Sequence, residues 1–277
     1  MVEEKSILMA VSIDNYLRTL SYEKYYLKRN SIETTRIDNS IKSLFLNLAT
    51  EFKSKIRAKS IFGSYDRDTI LPRSIDPMSD VDIMVIFNHT DFERTPETYR
   101  NWLKEFAEKH YKNKYGSSVE KTFPTITIKL ENISYDLVPA KQVDSYWTST
   151  FYIPNEGNDW IETDPKDVKN KLTDANTQYN SIVKPIIRIF KAWNAKASYP
   201  IDSYELESLI AGMNFSNDNI ESGFIYAAKK LNDNYIFSQK TDGKLSSLVY
   251  NLEKVNESLR LNDLETAKKW LHRVLPT

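Results

Sequence analysis

The chain has 277 residues, no cysteine, three histidines and six glycines, and its 38 basic side chains balance 38 acidic ones. No disulfide scaffold, thiolate zinc site or cysteine nucleophile is possible, and neither a Rossmann G-x-G-x-x-G nor a Walker A loop can be written. A strongly basic nucleic-acid binder is not indicated, and no run approaches the roughly 18 apolar residues of a membrane span.

The length suits one large domain or two lobes. Met1 to Lys5 is acidic and lacks a signal-peptide core, so a cytoplasmic protein is expected. Residues 6–29 read as a helix with several tyrosines. Residues 32–58 read as a second, in which Ile37, Ile41, Leu44, Phe45, Leu48 and Phe52 make one apolar stripe. Ala58–Phe62 leads as a strand into the turn Gly63-Ser64. The polar stretch 65–79, with Pro72 and Pro77, reads as a long loop whose Asp66, Asp68 and Asp76 are solvated.

Val81–Phe87 is the clearest buried strand. Thr95–Lys114 predicts a helix, with Thr95 as N-cap, Pro96 at the first helical position and Glu97 in the first turn. Val119–Leu130 and Ile133–Val138 predict strands, the second ended by Pro139. From Asp164-Pro165 the pattern is helical: 165–178, 181–196, 203–214, 218–231, 244–256 and 261–274. Helices, then a mixed sheet, then helices predict an α+β fold of two lobes, divided as 1–164 and 165–277.

Chemistry concentrates where Ser79-Asp80-Val81-Asp82 opens the buried strand. Residues i and i+2 of a strand share a face, so Asp80 and Asp82 project together. Two adjacent carboxylates call for a cation, and Mg²⁺ is the usual hard-oxygen partner. Asp136, in Ile133–Val138, becomes a third acid if its strand lies beside the first. Two metals clamped there suit an in-line displacement. Gly63 allows backbone to approach a phosphate, and Ser64 adds a hydroxyl.

Between Asn180 and Ile201 there is no acid, and Lys184, Arg188 and Lys191 share one helical face. That face is either the solvated side of a core helix or a cationic wall for a triphosphate. Ser203-Tyr204-Glu205-Leu206-Glu207 opens the next helix, with Asp202 or Ser203 as N-cap. Tyr204 either packs in the core or stacks on a nucleobase. His89, His110 and His272 have no metal or triad spacing and read as surface or structural residues.

Gly63-Ser64-Tyr65, Ser79–Asp82, Tyr135-Asp136-Leu137-Val138-Pro139-Ala140, Lys191-Ala192-Trp193 and Ser203–Glu207 follow in that order. Together they resemble the bacterial cGAS/DncV-like nucleotidyltransferases (CD-NTases) of the DNA polymerase β-like superfamily. The resemblance implies a two-lobed nucleotidyltransferase fold, with N-terminal spine helices on a mixed-sheet lobe and a C-terminal helical lobe. It implies joining of nucleoside triphosphates, with Mg²⁺ or alternatively Mn²⁺, into a cyclic oligonucleotide with loss of pyrophosphate. The expected product is a purine-containing cyclic dinucleotide such as cyclic di-GMP, made by a monomer, which activates an effector encoded nearby in antiphage defence.

By the same resemblance Asp80, Asp82 and Asp136 hold the metals, and Asp136 helps deprotonate the acceptor hydroxyl. Gly63 and Ser64 hold the donor triphosphate, Lys191 and Ser203 grip its outer phosphates, and Tyr204 stacks on its base. The fifteen residues between Ser64 and Asp80 make an enlarged loop. Its Arg67 and Arg73 are unassigned candidates for nucleotide contact. Without cysteine there is no zinc ribbon, so activation by duplex DNA is not expected. Two other readings stand beside this one. One is a nucleotidyltransferase acting on RNA, protein or a small molecule. The other is a catalytically inactive nucleotide-binding sensor.

Overall fold

The computed structural model describes residues 11–233 and 239–277. The acidic stretch Met1 to Lys5 and the start of the helix expected over 6–29 lie outside the described residues. In chain order the helices are α1 (Asp14–Thr19), α2 (Ile32–Phe52), α3 (Gly63–Asp66), α4 (Pro96–Ala107), α5 (Asn113–Tyr115), α6 (Pro165–Gln178), α7 (Val183–Lys196), α8 (Ser203–Ala211), α9 (Ile220–Asn232), α10 (Gln239–Arg260) and α11 (Leu264–Val274). The strands are β1 (Ile56–Phe62), β2 (Asp80–Phe87), β3 (Ser118–Glu120), β4 (Ile126–Lys129), β5 (Ser134–Asp144), β6 (Ser149–Asn155) and β7 (Asp159–Thr163). The fold is α+β, and its contacts gather into two compact units. One is Leu27–Thr173; the other combines Met1–Tyr26 with Asp174–Thr277. The sequence pattern alone predicts a single boundary, at 164/165.

The first unit is built on a mixed sheet in the order β1-β2-β5-β4-β3, with β6 on β5 and β7 on β6. β2 and β5 run parallel, and the other pairs are antiparallel. Strand alternation decides what each face carries. Val81, Ile83, Val85 and Phe87 of β2 point with Tyr135, Leu137, Ile126 and Ile128 into the main core. There they meet the apolar stripe of α2 and Tyr99, Leu103 and Phe106 of α4. The opposite face holds a small apolar cluster of Met84, Ile86 and Ala140, packed with Ala58, Phe62, Phe151 and Ile153. Asp80, Asp82 and Asp136 belong to that second face by the same alternation.

Several boundaries differ from the sequence reading, each for a physical reason. The helix expected over 32–58 stops at Phe52, because Lys53 turns to a φ of 48° and Ile56–Phe62 pairs with β2 instead. The single strand expected over 119–130 splits into β3 and β4 around Pro124, which has no N–H to give a ladder. β5 runs on past Pro139. That residue falls in the gap between β4, whose pairing ends at Leu137, and β6, whose pairing begins at Lys141. Thr95 does cap α4, accepting from the Thr98 amide, with Pro96 at the first helical position.

The second unit is helical. Val183 and the whole run from Pro185 to Asn194 of α7 are buried, so α7 is the hub of this core. Gly223 lets α9 come close: a Cβ there would meet Ile186 Cδ1 at 2.7 Å. The Phe190 and Phe224 rings consequently meet edge to face at 4.8 Å.

Candidate active site

The register of two strands positions the acids. In the parallel pair β2–β5, Asp82 lies directly opposite Asp136, and Asp80 opposite Ser134. In-register residues of neighbouring strands point to the same face, so the two strands bring three carboxylates to one side of the sheet. Asp136 is desolvated by the fold. Burial pushes its carboxyl above the ordinary aspartate range, against the hydrogen bond donated by Thr127 Oγ1 at 2.6 Å. Thr127 lies opposite Asp136 on β4. The alternation Ile126-Thr127-Ile128 places Thr127 on the polar face, a signal legible in the sequence itself.

Gly63 meets this face from the turn after β1. Its φ is 69°, and a Cβ there would stand 1.7 Å from Asp82 Oδ2. No side chain can coexist with that carboxylate, and an L-residue is disfavoured at that φ in any case. Phe62, the preceding residue, pairs with Asp82 across β1–β2. The Gly63–Ser64 turn is therefore seated directly on the Asp82 carboxylate.

The residues after Ser64 hold that turn in place. The Ser64 carbonyl accepts from the amides of Thr69 and Ile70 at 3.0 and 3.1 Å. Tyr65 donates its hydroxyl to Asp38 of α2 at 2.6 Å. Asp66 pairs with Lys169 at 2.7 Å, and Asp68 with Arg29 at 2.8 Å. Asp76 is buried and accepts from the Met78 amide. The expectation that Asp66, Asp68 and Asp76 are merely solvated is corrected: they are tethers of the loop. Arg73 donates to the carbonyls of Pro77 and Leu130, and Arg67 is buried.

Hard carboxylate oxygens on one face fit Mg²⁺, which accepts one or two carboxylates and completes its shell with water and phosphate oxygens. The burial that raises the Asp136 carboxyl is a cost that a bound cation would relieve. Among the described residues no three acids or histidines are drawn together as a closed metal-ligand cluster. The fit therefore rests on the in-register pair, Asp82 and Asp136, with Asp80 two residues along the same face.

The other three expected site residues belong to the helical unit. Lys191 is buried, its ammonium 3.9 Å from the carboxylate of Glu207, which is also buried. Arg188 is only 3% exposed. Its guanidinium carbon lies 5.3 Å from the Tyr22 ring centre and 4.7 Å from that of Tyr26. Its Nε donates to the Ser21 carbonyl. The solvated-face reading of Lys184, Arg188 and Lys191 thus fails for the last two. Asp202 is the N-cap of α8, accepting from Tyr204 and Glu205, so Ser203 is the first helical residue and not the cap. Tyr204 is 54% exposed, which removes the core-packing reading. The histidines pair locally: His89 with Tyr99, His110 with Glu51 and His272 with Tyr16.

The chain is 24% identical over 290 aligned positions to a probable cyclic nucleotide synthase of Bacillus cereus, covering 86% of this chain and 83% of that protein. It is 26% identical to a cyclic AMP-AMP-AMP synthase of Acinetobacter, covering 69% of this chain and 56% of that one. Its fold is similar to that of the Bradyrhizobium diazoefficiens CD-NTase CdnG, solved with GTP, at a TM-score of 0.70 and 13% identity over 96% of this chain and 99% of that one. Residues 12–176 match the Second Messenger Oligonucleotide or Dinucleotide Synthetase (SMODS) domain. With more than half of its length inside that match, the chain belongs to the SMODS family, and it is a nucleotidyltransferase of the CD-NTase class, a cyclic nucleotide synthase.

Proposed function

We propose that this CD-NTase joins two purine nucleoside triphosphates into a cyclic dinucleotide such as cyclic di-GMP, in the cytoplasm and as a monomer. The product would act on an effector encoded nearby, in antiphage defence. The observation that carries the catalytic part is the register placing Asp82 opposite Asp136, with Asp80 on the same face and Gly63 against the Asp82 carboxylate. Purines are supported by the adenine product named for the Acinetobacter relative and by the GTP in the CdnG structure. The signalling role and the monomeric state rest on the family resemblance.

In each of two successive steps the acceptor hydroxyl attacks the α-phosphorus of a donor triphosphate. One O–P bond forms, the bond to the leaving oxygen breaks, and pyrophosphate departs. Asp136 helps deprotonate the attacking hydroxyl. Asp80, Asp82 and Asp136 would hold Mg²⁺ or Mn²⁺, which when bound neutralises charge on the transferring phosphoryl group. The Gly63–Ser64 turn receives the donor triphosphate. From the helical unit, Ser203 contacts the outer phosphates and the exposed Tyr204 ring stacks on a base. Lys191 serves the same phosphates only if they draw it from Glu207.

The test is incubation with all four labelled nucleoside triphosphates and Mg²⁺ or Mn²⁺, then phosphatase and mass spectrometry. A phosphatase-resistant cyclic species containing purines is the expected result. Label transferred to added RNA or protein, with no cyclic species, would overturn it.

A further inference from the structure

The polar face of the sheet does not end at the three acids. Register carries it across two more strands: Asp82 lies opposite Asp136, Asp136 opposite Thr127, and Thr127 opposite Glu120 of β3. A second row, two residues along, runs Asp80, Ser134, Lys129 and Ser118. Paired residues share a face, so Glu120 and Lys129 stand on the side of the sheet that carries the acids. We propose, resting on the catalytic reading of this face given above, that Glu120 and Lys129 read the base of the acceptor nucleotide and select guanine.

The direction of the reaction places the acceptor there. In an in-line displacement the attacking and leaving oxygens stand on opposite sides of the phosphorus. The Gly63–Ser64 turn, assigned to the donor triphosphate, follows β1 and lies against Asp82. β1 flanks β2 on one side and β5 flanks it on the other. With pyrophosphate leaving on the β1 side, the attacking hydroxyl comes from the β5 side, where Asp136 stands. The rest of the acceptor then lies over β4 and β3. Neighbouring strands are about 4.8 Å apart, so the backbone of Glu120 is about 10 Å from that of Asp136. A nucleoside spans such a gap from its sugar hydroxyl to the edge of its base. The side chains between, Thr127 and Ser134, are short and buried, which keeps the floor low.

The chemistry of the pair selects the base. Lys129 Nζ donates to Glu120 Oε1 at 2.7 Å, and the two side chains are 45% and 48% exposed. An exposed ion pair contributes little to stability, so trading part of it for a ligand costs little. The pair is neutral as a whole, which suits an uncharged base better than a phosphate. It sets a hydrogen-bond acceptor directly beside a donor. Guanine offers the complement along one edge: N1–H and the N2 amino group donate side by side to a carboxylate, and O6 accepts from the ammonium. Adenine would turn the N1 lone pair toward the carboxylate and has no carbonyl for Lys129.

The experiment is isothermal titration of the full chain with GMP and with AMP, using the wild type, Glu120→Gln and Lys129→Met. Expected in the wild type is GMP binding about tenfold tighter than AMP. In Glu120→Gln the two affinities should come within about twofold of each other, because the glutamine amide opposes one of the two guanine donors. Lys129→Met should reduce the preference less. Mass spectrometry of the product made from equal GTP and ATP should show guanine content falling in the same order. The proposal is overturned if the wild type binds GMP no tighter than AMP up to about 10 mM, or if the preference survives both substitutions. A wild type that makes no cyclic product, yet loses its GMP preference in Glu120→Gln, overturns the dinucleotide reading while supporting the base contact.

Discussion

Charge is handled in opposite ways by the two units. In the sheet unit, Asp80 and Asp82 sit where a strand leaves the core, and Asp136 faces Asp82 through strand register. Asp136 is desolvated, and Thr127 supports it. In the helical unit, Arg188 and Lys191 lie inside the core on a helix buried nearly all round. Each is held by neighbours: Arg188 by two tyrosine rings and a carbonyl, Lys191 by Glu207. Acids at a strand end can bind a cation and release it. Cations in a helical core first of all hold helices together, since burying them unpaired would be costly.

The largest expected effect tests the acidic side of this contrast. Asp80→Asn with Asp82→Asn should cut synthesis about a thousandfold or more, because charge stabilisation at the transferring phosphoryl group is lost. The melting temperature should hold or rise, since like charges are removed. Substantial residual synthesis would return both acids to the status of strand-edge residues. Gly63→Ala comes next. Its Cβ would displace the Asp82 carboxylate, for about a hundredfold loss of kcat. The left-handed backbone adds about 1 kcal/mol of destabilisation. A Gly63→Ala enzyme of normal kcat would separate the turn from the chemistry.

Much of this site was legible because strands make simple geometry. Asp-x-Asp shares a face by period alone, and Gly63-Ser64 before a polar loop announces a turn. Pairing between β2 and β5 is a long-range fact that the sequence raises only as a condition, and the coordinates supply it. Helix placement in the C-terminal half was also readable, with α6 starting at Pro165 as its Asp164-Pro165 signal implies. Burial of the basic face of α7 was not readable. A Lys/Arg row at i, i+4 and i+7 looks the same whether it meets water or tyrosine rings from a segment some 160 positions earlier. The loop tethers were hidden for the same reason, since Lys169 and Arg29 lie far in sequence from Asp66 and Asp68.

Thr127→Val refines the acidic side further. The hydrogen bond from Thr127 lowers the Asp136 carboxyl, which burial raises, so removing it leaves the carboxyl higher still. Ionised Asp136 is then lost sooner as pH falls, and the acid limb of the kcat profile should move to higher pH. The deficit in kcat should be largest at low pH and shrink as pH rises. A profile that drops evenly at every pH would mean that Thr127 only packs.

Arg188→Met probes the helical side. It removes a charge-assisted bond to Ser21 and two ring contacts, for about 2 kcal/mol of stability, read by thermal melting. Kinetics well below the melting temperature should stay within about twofold, a shift of under 0.5 kcal/mol in barrier. If instead KM for the triphosphate rises steeply while stability holds, Arg188 is part of a cationic wall, and the contrast between the units narrows.

The smallest effect on stability is expected at Tyr204. It stands 54% exposed one turn of chain from the buried Leu206 and Glu207. An exposed aromatic at the start of a helix costs little to remove, so Tyr204→Ala should change stability by no more than about 0.5 kcal/mol. Base stacking is worth about 1–3 kcal/mol, which corresponds to a rise in KM of about five- to a hundredfold. Tyr204→Phe should restore it, because stacking needs the ring and not the hydroxyl. If alanine leaves KM unchanged, the ring has no part in binding, and the helical unit's contribution to nucleotide recognition must be sought at Ser203 and Lys191.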